Sequence, residues 1–92
     1  MSRAKIAAAN DAFRTTLKGG KVLWSPEVRE LDPQTRGRLL NAITQYSAFD
    51  KDGYHDAGVL IFCDFCVEWH IEKRPDGFVL LIDITGDLQR AV

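Results

Sequence analysis

Cys63 and Cys66 form a C-x-x-C pair, and His55 and His70 complete a set of four donors of the kind that zinc takes. Such donors must converge within a few ångströms of one ion. Cys66 and His70 fall in a stretch of alternating polarity that reads as a strand, where four residues span roughly 13 Å. One hairpin therefore cannot bring His70 and both thiols together. A thioredoxin-type redox pair also fits poorly, because that motif opens a helix after a strand. Both cysteines are expected to be plain thiols in a reducing compartment.

Residues 50–56, DKDGYHD, have the acids and the glycine of a calcium loop but not its register. With Gly53 as the sixth loop residue, Ala48 falls at the first ligand position and Val59 at the last, where carboxylates are required. His70 stands between Glu68 and Glu72, which are groups of acid–base catalysis. On a strand, residues two apart share a face at roughly 6.6 Å, so these side chains read as a surface ion-pair ladder. No nucleophile with an oriented base accompanies them. The sequence assigns no catalytic residue, no metal and no cofactor, and a non-enzymatic binding role is expected.

What remains is charge. Residues 1–49 carry eight Lys and Arg against four Asp and Glu, whereas residues 50–92 carry four against nine. A chain polarised in this way suits two faces with different partners. Arg14, Arg29, Arg36 and Arg38 are the candidate basic face, with Lys18 and Lys21 beside them. A pI near 6.1 and the lack of helix-turn-helix spacing or stacking aromatics argue against direct binding of duplex DNA. Asp50, Asp52, Asp56, Glu68 and Glu72 are the candidate acidic face, expected on one side of a sheet with Asp64 and Asp76 at its turns. Gathered there, they would imitate the charge density of a phosphate backbone and suit a groove lined by lysine and arginine.

The elements that must position these residues are readable. Residues 3–17 read as a helix with Ser2 as N-cap and Ile6, Ala9, Phe13 and Leu17 as its buried stripe; Asp11, Arg14 and Lys18 lie on another side. Gly19-Gly20 is expected to stop it in left-handed geometry. A short strand over 21–24 follows, and Ser25-Pro26 caps a single helical turn. Asp32 and Pro33 open a second helix, with Leu39, Leu40, Ile43, Tyr46 and Phe49 as its apolar stripe. Residues 59–62, 66–73 and 78–84 read as strands, joined through residues 63–65 and by the turn Arg74-Pro75-Asp76-Gly77. Trp24 and Trp69 are assigned to the core. The order α-β-α-β-β-β predicts an α+β fold, with two helices packed on one face of a small antiparallel sheet.

The 92 residues make a single domain, 1–92, and 46% apolar with 27% charged residues is a globular composition. The longest apolar run, residues 57–63, is far short of the roughly 20 that cross a bilayer, and no secretory signal is recognised. A cytoplasmic protein with no membrane partner is expected. A core this limited leaves an apolar sheet face or an edge strand available for a homodimer.

The stretches NDAFRTTLKGGKV (10–22) and YHDAGVLIFCDFCVEWHIEK (54–73) add a family reading. Asn10, Asp11, Ala12, Arg14, Thr15, Gly19, Gly20 and Val22, then His55, Asp56 and Gly58, then Val67, Trp69 and Ile71 carry it. Over residues 10–73 the chain resembles a family of small, uncharacterised bacterial domains often carried on plasmids and prophages. After Lys73 it departs, with RPDG and an apolar strand where that family continues through a polar, proline-containing stretch into a helix. The resemblance transfers no activity. Its mobile-element setting implies a role in conflict with the host. The expectation is an anti-CRISPR-like inhibitor and DNA mimic whose acidic face blocks target DNA binding by a CRISPR effector. The alternative is a small nucleic-acid-binding regulator using the basic helical half.

Overall fold

The computed structural model describes residues 2–49 and 53–87. The chain runs α1 (Arg3–Thr16), β1 (Gly20–Trp24), α2 (Pro26–Arg29), α3 (Pro33–Thr44), β2 (Ala57–Phe62), β3 (Phe65–Arg74) and β4 (Gly77–Asp87). Each helix opens on an oxygen that takes up an orphan backbone donor: Ser2 accepts from Lys5 N–H, Ser25 from Val28 N–H and Asp32 from Thr35 N–H. Pro26 and Pro33 follow their caps directly, where a missing N–H costs nothing.

The class is α+β, but the sheet is mixed. Its order is β1-β4-β3-β2, with β2, β3 and β4 forming an antiparallel meander and β1 lying parallel to β4. This corrects the expected all-antiparallel sheet. The α2–α3 segment carries the chain from β1 across one face before the meander begins, so β1 takes the free edge of β4 in the same direction. Such a long connection, unlike a hairpin, permits parallel pairing. Three helical segments rather than two contribute to the core, since the single turn of α2 supplies the buried Val28.

Phe13, Val28, Leu39 and Ile43 of the helices pack against Val67, Trp69, Ile71, Leu80 and Ile82 of the two central strands. Trp69 is fully buried and Trp24 packs against the cluster from its margin. Gly20 is required here by close approach, because a Cβ would lie 2.1 Å from the Phe78 carbonyl oxygen and 2.6 Å from the Phe13 ring.

Two local readings of α1 are corrected. The left-handed cap is Leu17, at φ 59°, not the glycine pair; its N–H reaches the Phe13 carbonyl and its side chain packs on the core. The buried face is Ala7, Asn10, Phe13 and Arg14 rather than Ile6, Ala9, Phe13 and Leu17. Two polar residues therefore turn inward, and Ala9 is exposed.

The β2–β3 connection is a two-residue turn, Cys63-Asp64, closed by the pair Phe62 and Phe65. Both turn residues have positive φ, 50° and 65°, as a twist-matched hairpin of this length requires. At the other hairpin, Arg74 pairs with Gly77 across Pro75-Asp76.

Candidate functional site

Arg14 does not belong to a basic surface. It is 4% exposed, and its guanidinium donates to the Ile43 carbonyl at 3.1 Å, the Tyr46 carbonyl at 3.0 Å and the Asp11 carboxylate at 2.9 Å. It also lies 4.8 Å from the centre of the Phe49 ring and 5.6 Å from that of Trp69. Burial pulls its pKa below the usual arginine value, and the Asp11 charge opposes that pull.

The same Asp11 carboxylate takes His55 Nδ1 at 2.9 and 3.0 Å, and the imidazole stacks on Phe49 at 4.2 Å. Asn10 donates to the Tyr54 carbonyl at 2.9 Å. The residues quoted from 10–14 and 54–58 thus meet as one polar clasp, in which α1 holds the segment leading into β2. His55 accepts a φ of 56° within it. Three residues further on, Gly58 lies beneath Trp69, where a Cβ would approach Nε1 to 2.6 Å. These positions build the fold.

The surface open to a partner is the helix-free side of the sheet. Period-two alternation sends every second strand residue there. Register sets three rows across it: Lys21, Val79 and Glu72; then Leu23, Leu81, His70 and Ala57; then Asp83, Glu68 and Val59. Leu23, Val59 and Ile61 are exposed on this side, the last two by 54% and 66%. A shallow depression of about 340 Å³ between the rows is bordered by Leu23, Ser25, Glu68, His70, Leu81 and Asp83.

The candidate acids divide on this surface. Glu68 faces outward directly opposite Asp83, and among the described residues neither has an ion-pair partner. Glu72 is occupied by a ladder on its own strand. Arg74 donates to it at 2.8 and 3.0 Å and His70 Nε2 lies 3.2 Å away, so Arg74 first and His70 second hold its carboxyl below the usual range. Asp56 lies just before β2, where its carbonyl accepts from Ile71 N–H at 2.7 Å. It is therefore not a neighbour of Glu68 in register. Asp50 and Asp52 lie outside the described residues. Asp76 is at its turn, 3.9 Å from Lys21.

Asp83 is the residue that sequence reasoning missed, and a signal for it existed. The turn at Pro75-Asp76 pairs Arg74 with Gly77, and counting back six residues on one strand and forward six on the other pairs Glu68 with Asp83.

Of the remaining basic candidates, Arg29 and Arg36 donate to the carbonyls of Trp24 and Arg29, and Arg38 is exposed on α3. Cys63 is an exposed free thiol and Cys66 a half-buried one. Among the described residues, no three His, Cys, Asp or Glu side chains are grouped to hold a metal, and no helix is long and apolar enough to cross a membrane. Comparison of the chain with protein families, curated proteins and solved structures finds no match.

Proposed function

We propose that this domain is a non-enzymatic inhibitor, carried by a mobile element, that binds a host nucleic-acid-targeting complex through the helix-free side of its sheet. A CRISPR effector is the partner that fits this reading best. The observation that carries it is the cross-strand pair Glu68 and Asp83. Like charges directly opposite on a sheet cost stability, and among the described residues no cationic side chain pairs with either. A cationic side chain from a partner would. The apolar Leu23, Leu81 and Val59 beside the pair would receive the aliphatic stem of an incoming lysine or arginine. A channel that holds target DNA offers many such side chains, and occupying it excludes DNA. The mobile-element setting implied by the resemblance over residues 10–73 supports the same partner class. A basic nucleic-acid-binding face is weakened, because burial withdraws Arg14 from it.

The test is a gel shift of target DNA by a purified CRISPR effector, with and without the domain, at low and high salt. Loss of the DNA complex with wild-type protein, and its return with Glu68→Lys/Asp83→Lys, is the expected result. Target DNA binding that ignores the wild-type domain for effectors of every type overturns the proposal. Retardation of duplex DNA by the domain alone would favour the basic-face regulator.

A further inference from the structure

The two edges of the sheet are not equally defended. β1 is five residues long and carries Lys21, ion-paired with Asp76, which is the usual protection against unwanted strand pairing. β2 is the opposite edge, and its sequence Ala-Gly-Val-Leu-Ile-Phe contains no charge, no proline and no bulge. Val59 and Ile61 are its exposed large apolar side chains. An uncharged apolar edge of this kind is a template for a further strand.

The backbone identifies which groups wait for it. The two-residue hairpin makes Phe62 and Phe65 a hydrogen-bonded pair, and the Ile71 N–H bond to the Asp56 carbonyl has the same parity. Residues 58, 60 and 62 thus turn their N–H and C=O groups toward β3. Ala57, Val59 and Ile61 turn theirs away, and among the described residues no strand meets them.

We infer that β2 pairs antiparallel with β2 of a second copy about a two-fold axis at Val59, making one eight-stranded sheet. Three considerations choose this occupant and register. An uncharged strand gives a charged partner strand nothing to pair with, whereas the chain's own β2 is uncharged and apolar. Antiparallel pairing about a two-fold axis keeps both helix layers on one side, so only outward residues can oppose outward residues. Of the registers that obey this, centring on Val59 opposes Val59 to itself and Ala57 to Ile61, and so satisfies every waiting donor and acceptor of both strands.

A consequence reaches the acidic pair. Val59 lies opposite Glu68, and Glu68 opposite Asp83, so the dimer aligns Asp83, Glu68, Val59 and the same three residues of the second copy in one row. The two Glu68 side chains would stand three strand spacings apart, about 14 Å. The inference does not depend on which partner reads them.

The experiment combines sedimentation velocity with site-directed cross-linking. Wild-type protein is expected at the mass of two chains, and Val59→Lys or Ile61→Lys at the mass of one with an unchanged circular dichroism spectrum; both positions are exposed, so lysine is accommodated. In a Cys63→Ser/Cys66→Ser background, Val59→Cys is expected to form a disulfide-linked dimer under mild oxidation. Ile61→Cys is not, because its two copies would be separated by about 14 Å along the strands. A wild-type monomer throughout the micromolar range overturns the inference, as does a dimer indifferent to both lysine variants. Cross-linking through Ile61→Cys but not Val59→Cys overturns the register.

Discussion

Asp11 and His55 are 44 positions apart in the chain and 2.9 Å apart in space, and the carboxylate that joins them is also held by Arg14. The clasp links three segments: α1 supplies Asp11 and Arg14, the end of α3 and the residues just after it supply the carbonyls of Ile43 and Tyr46, and His55 belongs to the approach to β2. A buried guanidinium with several acceptors is tolerated only while all of them remain.

Removing the guanidinium is therefore expected to be severe. Arg14→Ala takes the guanidinium donor from the Tyr46 carbonyl, leaves the Ile43 carbonyl to backbone N–H groups alone and takes one of two partners from Asp11, for a loss of about 3–5 kcal/mol. Arg14→Lys should recover less than half of that, because one ammonium cannot span three acceptors fixed around a planar fork. Urea unfolding with an unchanged slope checks both. A loss below about 1 kcal/mol for Arg14→Ala, as for an exposed ion pair, would contradict the buried assignment.

Two glycines should respond in opposite directions to the same change. At Gly58 a methyl group would press on the Trp69 indole at 2.6 Å, an overpacking expected to cost about 1–3 kcal/mol. At Gly37, inside α3, a Cβ meets nothing within 4 Å, and alanine should stabilise by about 1 kcal/mol. Thermal or chemical unfolding of the two variants side by side reads the contrast.

Acid should weaken the fold through two carboxylates. Asp32 is held below its usual range by hydrogen bonds from Thr35, and Glu72 by Arg74 and His70. Each binds its proton less readily folded than unfolded, so its contribution is full above the ordinary carboxylate range, about pH 4, and falls as pH drops below it. Asp32→Asn keeps a capping oxygen without titrating, and Glu72→Gln removes the second group. The double variant should show a shallower acid limb in a plot of unfolding midpoint against pH.

The strands were legible because alternation over 66–72 separates Val67, Trp69 and Ile71 from Glu68, His70 and Glu72 without tertiary knowledge. The caps at Ser2, Ser25 and Asp32 were legible for the same local reason. Arg14 was not, since periodicity assigns a charged residue to the outside and cannot foresee that Ile43 and Tyr46 will offer it carbonyls. Nor was the direction of β1, which is settled by where a long connection lands rather than by any residue in the strand. The acidic face was half legible. Glu68 and Glu72 share the outer side as alternation requires, but only register shows that one faces another acid and the other is neutralised by its neighbours.

Glu68 gives the sharpest test, because fold and binding should move in opposite directions. Replacing it by lysine turns a cross-strand repulsion from Asp83 into an attraction, and should raise stability by about 0.2–1 kcal/mol. Asp83→Lys should do the same, and the double reversal should restore the like-charge penalty and with it the original stability. If the pair exists to receive a cation, each stabilised single variant is also the weaker binder, the trade expected where function holds a residue against the interest of the fold. Screening weakens exposed charge pairs, so both the gain in stability and the loss of binding should shrink between low and high salt. Unfolding midpoints and partner affinities measured on the same four proteins decide it. A Glu68→Lys variant that is stabilised and still binds at wild-type strength would leave the pair without a function.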